Sequence, residues 1–286
     1  HVYPWLSVGL EGFGQYMDIK EYLAGKKRSV DKALDEYLPS AATKPEIVHR
    51  VMRYAVFPGG KRIRPILTIA GFEMCGGKGS SIMPVACAIE LIHTYTLIHD
   101  DLPCMDDDDF RRGRLSCHKK FNESLALLAG DGILTLSFEL LSETGNAYLV
   151  SEVSKAIGTR GTIGGQVMDI IKQKTDRRVK RRDMDYITGN KTGALFEIAL
   201  RAAGIVKGVE RKKLDALGNF GRCIGFTFQL IDDLIDKDGY VRVYGVNHTR
   251  KMAELLNERA NSYLSVFGNR AGRLSGITEL ILQRRS

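Results

Sequence analysis

The sequence has few of the features that mark membrane, secreted or disordered proteins. It has no apolar run near the length that crosses a bilayer and no signal-type start. Its five cysteines are scattered, odd in number and without metal-ligand spacing. Seven prolines and the lack of a long polar tract argue against disorder. We therefore expect an ordered protein without a membrane span in a reducing, cytoplasmic compartment.

The chain also lacks the interleaved aromatic residues of a nucleic-acid-binding segment. Its net charge is +8 over 286 residues, but the basic residues are spread along the chain. The densest basic run, Arg177–Arg182, contains no aromatic residue and favours a solvated loop or helix start. Net charge alone does not support a nucleic-acid partner, so we expect none. Acidic small molecules remain compatible with this charge.

No alternating strand pattern and no interdomain linker are present, whereas helical periodicity dominates. The composition is 44% hydrophobic, which is enough to bury a substantial core. We expect helix breaks at Gly59-Gly60, Gly164-Gly165, Gly204 and Gly239. The sequence therefore predicts one all-α bundle, with its site built from inward-facing side chains. Apolar residues recur at three and four spacing in 16–38, 47–56, 63–74, 82–99, 125–141, 184–203, 214–236 and 250–282.

Two aspartate clusters are the strongest functional signal. The first begins at Asp100-Asp101, continues through Asp106–Asp109 and is followed by Arg111-Arg112, and the second is Asp232-Asp233 with Asp236. Crowded carboxylates repel one another unless a cation neutralises them. Magnesium takes oxygen ligands, usually carboxylates together with substrate phosphates. The clusters therefore indicate a metal-assisted diphosphate site, although for Asp107–Asp109 a solvated loop is an equal alternative.

The spacing within each cluster makes a geometric prediction. Asp232 and Asp236 are four residues apart, so they lie on one helix face and can share a metal. Asp100 and Asp106 are six residues apart, which is about 240° around an ideal helix, and would not converge. Pro103 lies between them and kinks or ends a helix. We therefore expect a local distortion that returns Asp106 toward Asp100.

Cationic and polar side chains accompany the clusters. Gly59–Pro65 places Lys61, Arg62 and Arg64 between two glycines and a helix. Glycines allow close approach of a ligand, and lysine and arginine bind phosphate. Arg111-Arg112 can bracket a diphosphate together with a metal. Lys191-Thr192 and Gln229 add a cation, a hydroxyl and an amide on segments that we expect to face the same cavity.

This combination closely resembles the trans-isoprenyl diphosphate synthases (polyprenyl synthetases), and in particular the bacterial farnesyl diphosphate synthases. The resemblance implies an all-α homodimer with a deep central cavity in each subunit, and residues 15–286 as one polyprenyl synthase domain. Because the chain begins with His1, residues 1–14 are set apart as an N-terminal segment that is incomplete or foreign. The matching stretches are Gly59–Pro65, Glu90–Gly113, Leu127–Asp131, Gly164–Asp169, Lys191–Ala194 and Gly225–Asp236.

The resemblance also implies an activity and residue roles. Isopentenyl diphosphate would condense head to tail with an allylic diphosphate, assisted by Mg²⁺, expected as three ions per site. Without the family resemblance, His93 would be interpreted as a histidine of the protein core. The roles implied are as follows: magnesium ligands Asp100, Asp106 and Asp232, supported by Asp101, Asp233 and Asp236; isopentenyl-side contacts Lys61, Arg64, His93 and Arg112; allylic-side contacts Arg111, Lys191, Thr192 and Gln229; and catalytic residues Asp100, Asp106, Arg111, Lys191 and Asp232.

The chain length of the prenyl product is expected to depend on Tyr95 and on the small residue Thr96 beside it. Tyr95 lies five residues before Asp100, about 7.5 Å along a helix, where its ring would form a cavity floor. The resemblance therefore favours farnesyl diphosphate as the main product, with geranylgeranyl or geranyl diphosphate as the alternatives. A core tyrosine without this role is the structural alternative.

Other classes are less well supported. A non-catalytic partner subunit would lose the aspartates or Arg111-Arg112, and this chain keeps both. A terpene cyclase or a head-to-head synthase would share the helical fold, but Lys61, Arg64 and His93 favour a second diphosphate over a cyclase. One departure from the family pattern follows the second cluster, where a loop with a lysine and a glycine is usual. Here Asp236 leads almost at once to the C-terminal helices, so no lysine is assigned to that role.

Overall fold

The computed structural model describes residues 10–57, 59–173 and 181–284. Most of the basic run Arg177–Arg182, and most of the N-terminal segment 1–14, lie outside the described residues. Within the described ranges the chain is helical, with one two-stranded antiparallel hairpin, which confirms the all-α prediction. The elements are α1 Leu10–Tyr37, α2 Glu46–Val56, α3 Ile63–Met74, α4 Met83–Asp100, β1 Phe110–Arg111, β2 Arg114–Leu115, α5 Cys117–Lys120, α6 Glu123–Ser142, α7 Ala147–Ile157, α8 Thr162–Gln173, α9 Arg181–Ile187, a π-helical turn Thr188–Gly193, α10 Ala194–Lys207, α11 Arg211–Asp236, α12 Tyr240–Tyr244, α13 Val246–Leu264, a 3₁₀ segment Ser265–Ala271 and α14 Gly272–Leu282.

Helix α4 is the buried centre of the bundle. Every residue from Val85 to Ile92 is buried, so this stretch has no solvent face. Helices α1, α2, α3, α6 and α10 pack around it. A helix that is apolar all round must be enclosed by other elements. Because α4 ends at Asp100, this enclosure fixes the position of the first aspartate cluster.

Two predicted helix breaks, both at glycines, are absent from the structure. Gly164 and Gly165 lie inside α8, and Gly204 lies inside α10, so the predicted breaks there are wrong. A Cβ atom at Gly165 would lie 2.2 Å from the backbone nitrogen of Lys191, and one at Gly204 would lie 2.8 Å from a Leu217 methyl. These glycines serve close helix packing rather than chain reversal. The helices α7 and α8 were not predicted either.

Among the described residues, one helix is long and apolar enough to cross a membrane when judged by length and composition alone. An 18-residue window of α6 has a mean hydropathy of 1.5, and 39% of that window is buried. The sequence analysis had found no such run. A core helix passes the same test, and Ala126, Ala129 and Ile133 of α6 are fully buried where α6 packs on α4 and α2.

Close contact of α11 with the π-helical turn and the start of α10 depends on Gly225. A Cβ atom there would lie 2.7 Å from the Cα atom of Gly193, a backbone atom that cannot turn away. We predict that Gly225→Ala lowers the free energy of unfolding by about 1–3 kcal/mol, as overpacking does. Thermal or urea unfolding of the purified protein measures the change.

Gly272→Ala is the matched control for this prediction. Gly272 is also helical, and a Cβ atom there would meet nothing within 4 Å. Its substitution should leave stability unchanged or raise it by about 0.4–1 kcal/mol. Equal stability of the Gly225→Ala variant and the wild type would contradict the packing account.

Candidate active site

The chain turns back on itself directly after α4. The backbone N–H of Asp106 donates to the carbonyl oxygen of Asp100 at 2.9 Å, and that of Asp107 donates to the carbonyl oxygen of Leu102 at 3.2 Å. The turn contains Pro103, where the sequence predicted a distortion. It brings the backbone of Asp106 back to Asp100, as continued helix would not.

The Asp100 carboxyl lies in an unfavourable place for a negative charge. Burial, together with the nearby carboxylates of Asp106 and Asp101, outweighs the opposing charges of Lys191 and Arg111 and raises the pKa of Asp100 to about 6. The surrounding cations therefore do not fully compensate the cost of ionising this group. A divalent cation would supply the missing positive charge.

Arg111 and Arg112 occupy a tight hairpin next to this cluster. Arg112 and Gly113 form its two-residue loop, both with positive φ (55° and 75°), which matches the turn geometry that suits antiparallel strands. Arg111 donates through Nε to Asp101 at 2.9 Å and through Nη2 to Asp108 at 2.7 Å. The guanidinium of Arg111 is thus held by two carboxylates, one of them buried.

Two arginines, Arg64 and Arg112, surround the ring of His93 with positive charge. The nearest Nη atom of Arg112 lies 3.1 Å from where a Cβ atom at Gly60 would be, and Arg64 Nη1 lies 3.4 Å from His93 Nε2. Burial, followed by the charges of Arg64 and Arg112, holds the pKa of His93 well below its ordinary value, so His93 is neutral near pH 7. Burial lowers the pKa of Arg64 to about 10, which leaves it charged.

The three cations of the Gly59–Pro65 stretch differ in role. Arg62 is buried and binds Glu90 at 2.6 Å and Asp31 at 2.8 Å, so it anchors the turn. Lys61 is exposed at the start of α3. Arg64 lies against the ring of Phe196 at 4.5 Å, and its Nε has no hydrogen-bond partner among the described residues. Lys61 and Arg64 are therefore available to a ligand, whereas Arg62 is not.

The π-helical turn Thr188–Gly193 presents Lys191 and Thr192. Such turns interrupt the ordinary helix and often occur at functional sites. Lys191 Nζ donates to Asp169 at 2.8 Å, and its pKa is raised by Asp169, Asp100 and Asp106 against the effect of burial. Thr192 donates to the side-chain oxygen of Gln229 at 3.1 Å. The turn thus joins the first cluster to α11.

In the second cluster, the carboxylate of Asp232 is paired with Arg284, which follows α14. The Arg284 Nη2 atom lies 2.9 Å from Asp232 Oδ1, and the guanidinium lies 4.7 Å from the ring of Phe228. Burial raises the pKa of Asp232, Arg284 lowers it, and exposed Asp236 raises it. Two nitrogens of Arg284 are buried without partners among the described residues. Arg284 is therefore a cation of this site that the sequence analysis missed.

The segment after the second cluster is short and well anchored. The Asp233 carboxylate accepts from the backbone N–H of Tyr240 at 2.8 Å and from Gln229 Nε2 at 2.9 Å. The Tyr240 hydroxyl donates to Asp185 at 2.7 Å. Lys237 ends α11 with a positive φ of 55° and is exposed. In this arrangement the cation on Asp232 is Arg284 rather than Lys237.

A cavity of about 510 Å³ connects many of these groups. Its main polar lining residues are Arg64, His93, His99, Asp100, Gln166, Lys191 and Thr192. The remaining wall is mainly apolar: Tyr95, Leu97, Met105, Leu134, Ile163, Val167, Ile170 and Leu195, with Thr96 and Thr162. Charged lining residues together with a mainly apolar wall suit a ligand with a phosphate head and a hydrocarbon tail.

Two further side chains of this region were missed as site residues. Gln166 lines the cavity, and both polar atoms of its amide are buried without partners among the described residues. Asp169 holds Lys191, as described above. Both lie in the stretch Gly164–Asp169 that carried part of the family resemblance, and that stretch was the signal available. Their positions were not predictable because the stretch was interpreted as a helix break.

Tyr95 lies in the cavity wall next to the first cluster. Its side chain is 6% exposed, and its ring meets that of His99 edge to face at 5.7 Å. Burial, followed by the charge of Asp100, raises the pKa of Tyr95 to about 12. The phenol therefore stays neutral near pH 7 and narrows the cavity at this point.

The donor set fits a hard divalent cation. Asp100 and Asp106 supply only carboxylate oxygens, and burial together with the nearby charge of Asp106 disfavours the ionised form of Asp100 when no cation is near. Magnesium prefers such oxygen ligands and keeps several waters or phosphate oxygens. The Asp232 carboxylate could also bind a divalent cation once the guanidinium of Arg284 moves away from it.

Comparison with known proteins gives the family. The Polyprenyl synthetase family model matches residues 45–249. The chain therefore belongs to the polyprenyl synthetase family, and its function is that of a prenyltransferase. Geranylgeranyl pyrophosphate synthase 4 of Arabidopsis thaliana is 37% identical over 300 residues, covering 96% of this chain and 80% of the relative.

Two further comparisons extend this result. The chloroplastic large subunit 1 of a heterodimeric geranylgeranyl pyrophosphate synthase from Arabidopsis thaliana is 40% identical, covering 87% of this chain and 75% of the relative. The apo crystal structure of an FPP/GFPP synthase from Zymomonas mobilis has a TM-score of 0.89 and 34% identity, covering 93% of this chain and 99% of that chain. The isoprenoid synthase fold is thereby confirmed.

These relatives correct one expectation. The predicted cytoplasmic location is wrong, because the matched curated relatives include several chloroplastic enzymes. Unpaired, scattered cysteines indicate reducing conditions but do not distinguish between the compartments that provide them. The names of the curated relatives also do not support farnesyl diphosphate as the main product.

The raised pKa of Asp100 predicts how stability depends on pH. The folded protein retains the Asp100 proton up to about pH 6, whereas the unfolded chain releases it near pH 3.8. The unfolding free energy should therefore fall as pH rises from about 4 to 6. We predict that Asp100→Asn raises the unfolding free energy of the metal-free protein by roughly 1–3 kcal/mol at pH 7.5.

Urea unfolding in the presence of a chelator, at pH 4 and at pH 7.5, measures this effect. The increase in unfolding free energy of the Asp100→Asn variant over the wild type should be present at pH 7.5 and small at pH 4. Asp18→Asn, at an exposed position on α1, is the control and should change little at either pH. A destabilised Asp100→Asn variant at pH 7.5 would contradict the account.

Proposed function

We propose that this protein condenses isopentenyl diphosphate head to tail with allylic diphosphates, with geranylgeranyl diphosphate as its main product. The observation that carries the proposal is the mainly apolar cavity whose lining includes Asp100, Lys191, Arg64 and His93. A carboxylate with a raised pKa, and a buried Arg64 Nε without an acceptor among the described residues, together suit a metal-bound diphosphate. The apolar wall suits a prenyl chain.

We propose the following roles for the site residues. Asp100, Asp106 and Asp232 hold Mg²⁺, expected as three ions with substrate bound, supported by Asp101, Asp233 and Asp236. Lys61, Arg64, His93 and Arg112 bind isopentenyl diphosphate. Arg111, Lys191, Thr192 and Gln229 contact the allylic diphosphate. Support comes from the unpartnered Arg64 Nε, the cationic surroundings of neutral His93, and the position of Lys191 beside Asp100.

The chemistry uses these groups in sequence. Magnesium, when bound, supplies positive charge that favours departure of the allylic diphosphate. Lys191 and Arg111 stabilise the negative charge that develops on the leaving group as the allylic C–O bond breaks. The apolar wall excludes water, which would otherwise capture the allylic cation. The double bond of isopentenyl diphosphate then forms the new C–C bond, and a proton passes from the adduct to the released diphosphate.

Two observations bear on product length. Eight matched curated relatives, at 36–41% identity, are named geranylgeranyl pyrophosphate synthases or large subunits of such synthases, which supports the C20 product. Tyr95 in the cavity wall favours farnesyl diphosphate as a second candidate, because a buried ring close to the first cluster limits the depth available to the chain. Thr96 beside it is small and lines the same wall.

We further propose a homodimeric assembly. Exposed Leu127 and Leu128 on α6 support it, since contiguous exposed apolar surface marks interaction sites. One matched relative is the large subunit of a heterodimer, so pairing with a different subunit is the alternative. The names of the relatives favour a plastid location. Sedimentation of the purified chain, with Leu128→Glu as the disrupting variant, distinguishes dimer from monomer.

Product analysis tests the proposed function directly. Wild-type protein incubated with isopentenyl and dimethylallyl diphosphates and Mg²⁺ should give mainly geranylgeranyl diphosphate. Tyr95→Ala should increase the share of longer chains, because it removes the ring from the wall, whereas Tyr95→Phe should leave the profile unchanged. Tyr95→Met serves as a milder variant if Tyr95→Ala folds poorly.

Chromatography of the dephosphorylated products reads out chain length. A wild type that stops at farnesyl diphosphate, with a Tyr95→Ala variant that proceeds to geranylgeranyl diphosphate, would establish the second candidate instead. Absence of any condensation product with correctly folded protein would overturn the proposed function.

Lys61 provides a test of the isopentenyl side, because it is exposed and its loss should not disturb the core. A charge-assisted phosphate contact contributes about 1.5–3 kcal/mol. We predict that Lys61→Met raises the KM for isopentenyl diphosphate by about ten- to a hundredfold, with little change for the allylic substrate. Steady-state kinetics with each substrate varied in turn measures both values.

Lys78→Met, at an exposed position just beyond the other end of α3, is the matched control and should leave both KM values unchanged. A rise confined to the allylic KM in the Lys61→Met variant would contradict the assignment.

A further inference from the structure

A buried histidine outside the cavity has an unused metal-binding nitrogen. His118 lies in the one-turn helix α5 and is 7% exposed. Its Nδ1 lies 3.1 Å from the Ser116 hydroxyl, while its Nε2 is buried without a hydrogen-bond partner among the described residues. Leaving such an atom unsatisfied costs free energy. The nitrogen is therefore free to bind a ligand.

Two carboxylates lie close to that nitrogen. Asp107 Oδ1 lies 3.9 Å from His118 Nε2, and the three candidate ligand atoms of Asp107, Asp109 and His118 all lie within 4.8 Å of one another. Ligand atoms around a bound Zn²⁺-sized ion are about 3.0–3.5 Å apart, given bonds near 2.1 Å. Small rotations of the two exposed aspartates would reach this spacing, while the buried histidine stays in place.

We infer that Asp107, Asp109 and His118 form a second metal site, for a borderline transition-metal dication such as Zn²⁺ or Co²⁺, distinct from the carboxylates at the cavity. One imidazole nitrogen and two carboxylate oxygens match the donors that these ions accept. Magnesium, which prefers oxygen ligands and strict octahedral geometry, suits this mixed set poorly. Water would complete the coordination.

The ammonium group of Lys119 would compete with a metal ion for the carboxylate of Asp109. This ammonium lies 2.8 Å from Asp109, and both side chains are exposed. Exposed ion pairs of this kind contribute little to stability. A dication bound by three ligands would therefore displace the ammonium, which can turn into solvent. The pair neutralises Asp109 when no metal is present.

The position of the site suggests what a bound ion would do. Asp107 directly follows Asp106, and Asp109 is two residues before Arg111. A metal ion would join this loop to α5 and restrict the segment that carries Asp106 and Arg111. The ion would act on the positions of these two residues and would take no part in the condensation itself. The inference does not depend on the proposed function.

Cobalt titration of metal-free protein in saturating Mg²⁺ tests the inference. Co²⁺ absorbs in the visible range when bound by nitrogen and oxygen ligands, and a thiolate ligand adds an intense near-ultraviolet band. We expect one Co²⁺ per chain without the thiolate band. Asp107→Asn and Asp109→Asn should each weaken binding by at least about tenfold. Glu123→Gln, an exposed carboxylate near Lys119, is the control and should bind as the wild type does.

Other results of the same titration would overturn the inference. These are no cobalt binding by the wild type, binding unchanged in both asparagine variants, a thiolate band, or displacement of cobalt by Mg²⁺ in the millimolar range. Because His118 is buried, His118→Gln is used only if circular dichroism shows it folded, and it should then also lose binding. The asparagine variants, at exposed positions, decide the outcome without it.

Discussion

The site depends on negative charge that the folded chain does not neutralise by itself. Asp100 lies at the end of a fully enclosed helix, and its pKa is raised because burial and neighbouring carboxylates outweigh Lys191 and Arg111. Charge of this kind is costly in the free protein and becomes favourable when metal and diphosphate arrive together. The free protein is therefore strained electrostatically at the place where it binds its ligand.

Irregular backbone carries several of the charged groups of the site. Asp106 returns over α4 through a turn, Arg112 lies in a hairpin loop with positive φ, and Lys191 lies on a π-helical turn. An uninterrupted helix would not return Asp106 to Asp100. The helices make the bundle rigid, and the short non-helical or π-helical segments carry these side chains of the site. Functional residues in other proteins often lie on such irregular backbone.

Much of the fold could be predicted, because strongly periodic apolar segments bounded by glycines define helices locally. The segment 63–74 was predicted with both ends correct. Gly165 and Gly204 were misinterpreted, because a glycine that allows close packing has the same sequence appearance as one that breaks a helix. Only the partner backbone or side chain, known from the fold, distinguishes the two cases.

The site was predictable where it followed a contiguous pattern and not where it depended on tertiary contacts. Lys61, Arg62 and Arg64 form one motif, yet Arg62 is buried on Glu90 and Asp31, which no local pattern indicates. Arg284 pairs with Asp232 from a distant part of the chain, and Gln166 reaches the cavity from a helix that was not predicted. Charge pairing across the fold has no local sequence signal.

The central claim is that metal and diphosphate compensate the charge of the aspartate clusters together. Calorimetric titration of the wild-type protein with inorganic diphosphate, once in chelator and once in saturating Mg²⁺, tests it most directly. The account predicts that Mg²⁺ strengthens diphosphate binding by at least about a hundredfold, close to 3 kcal/mol. Equal diphosphate affinity with and without Mg²⁺ would contradict it.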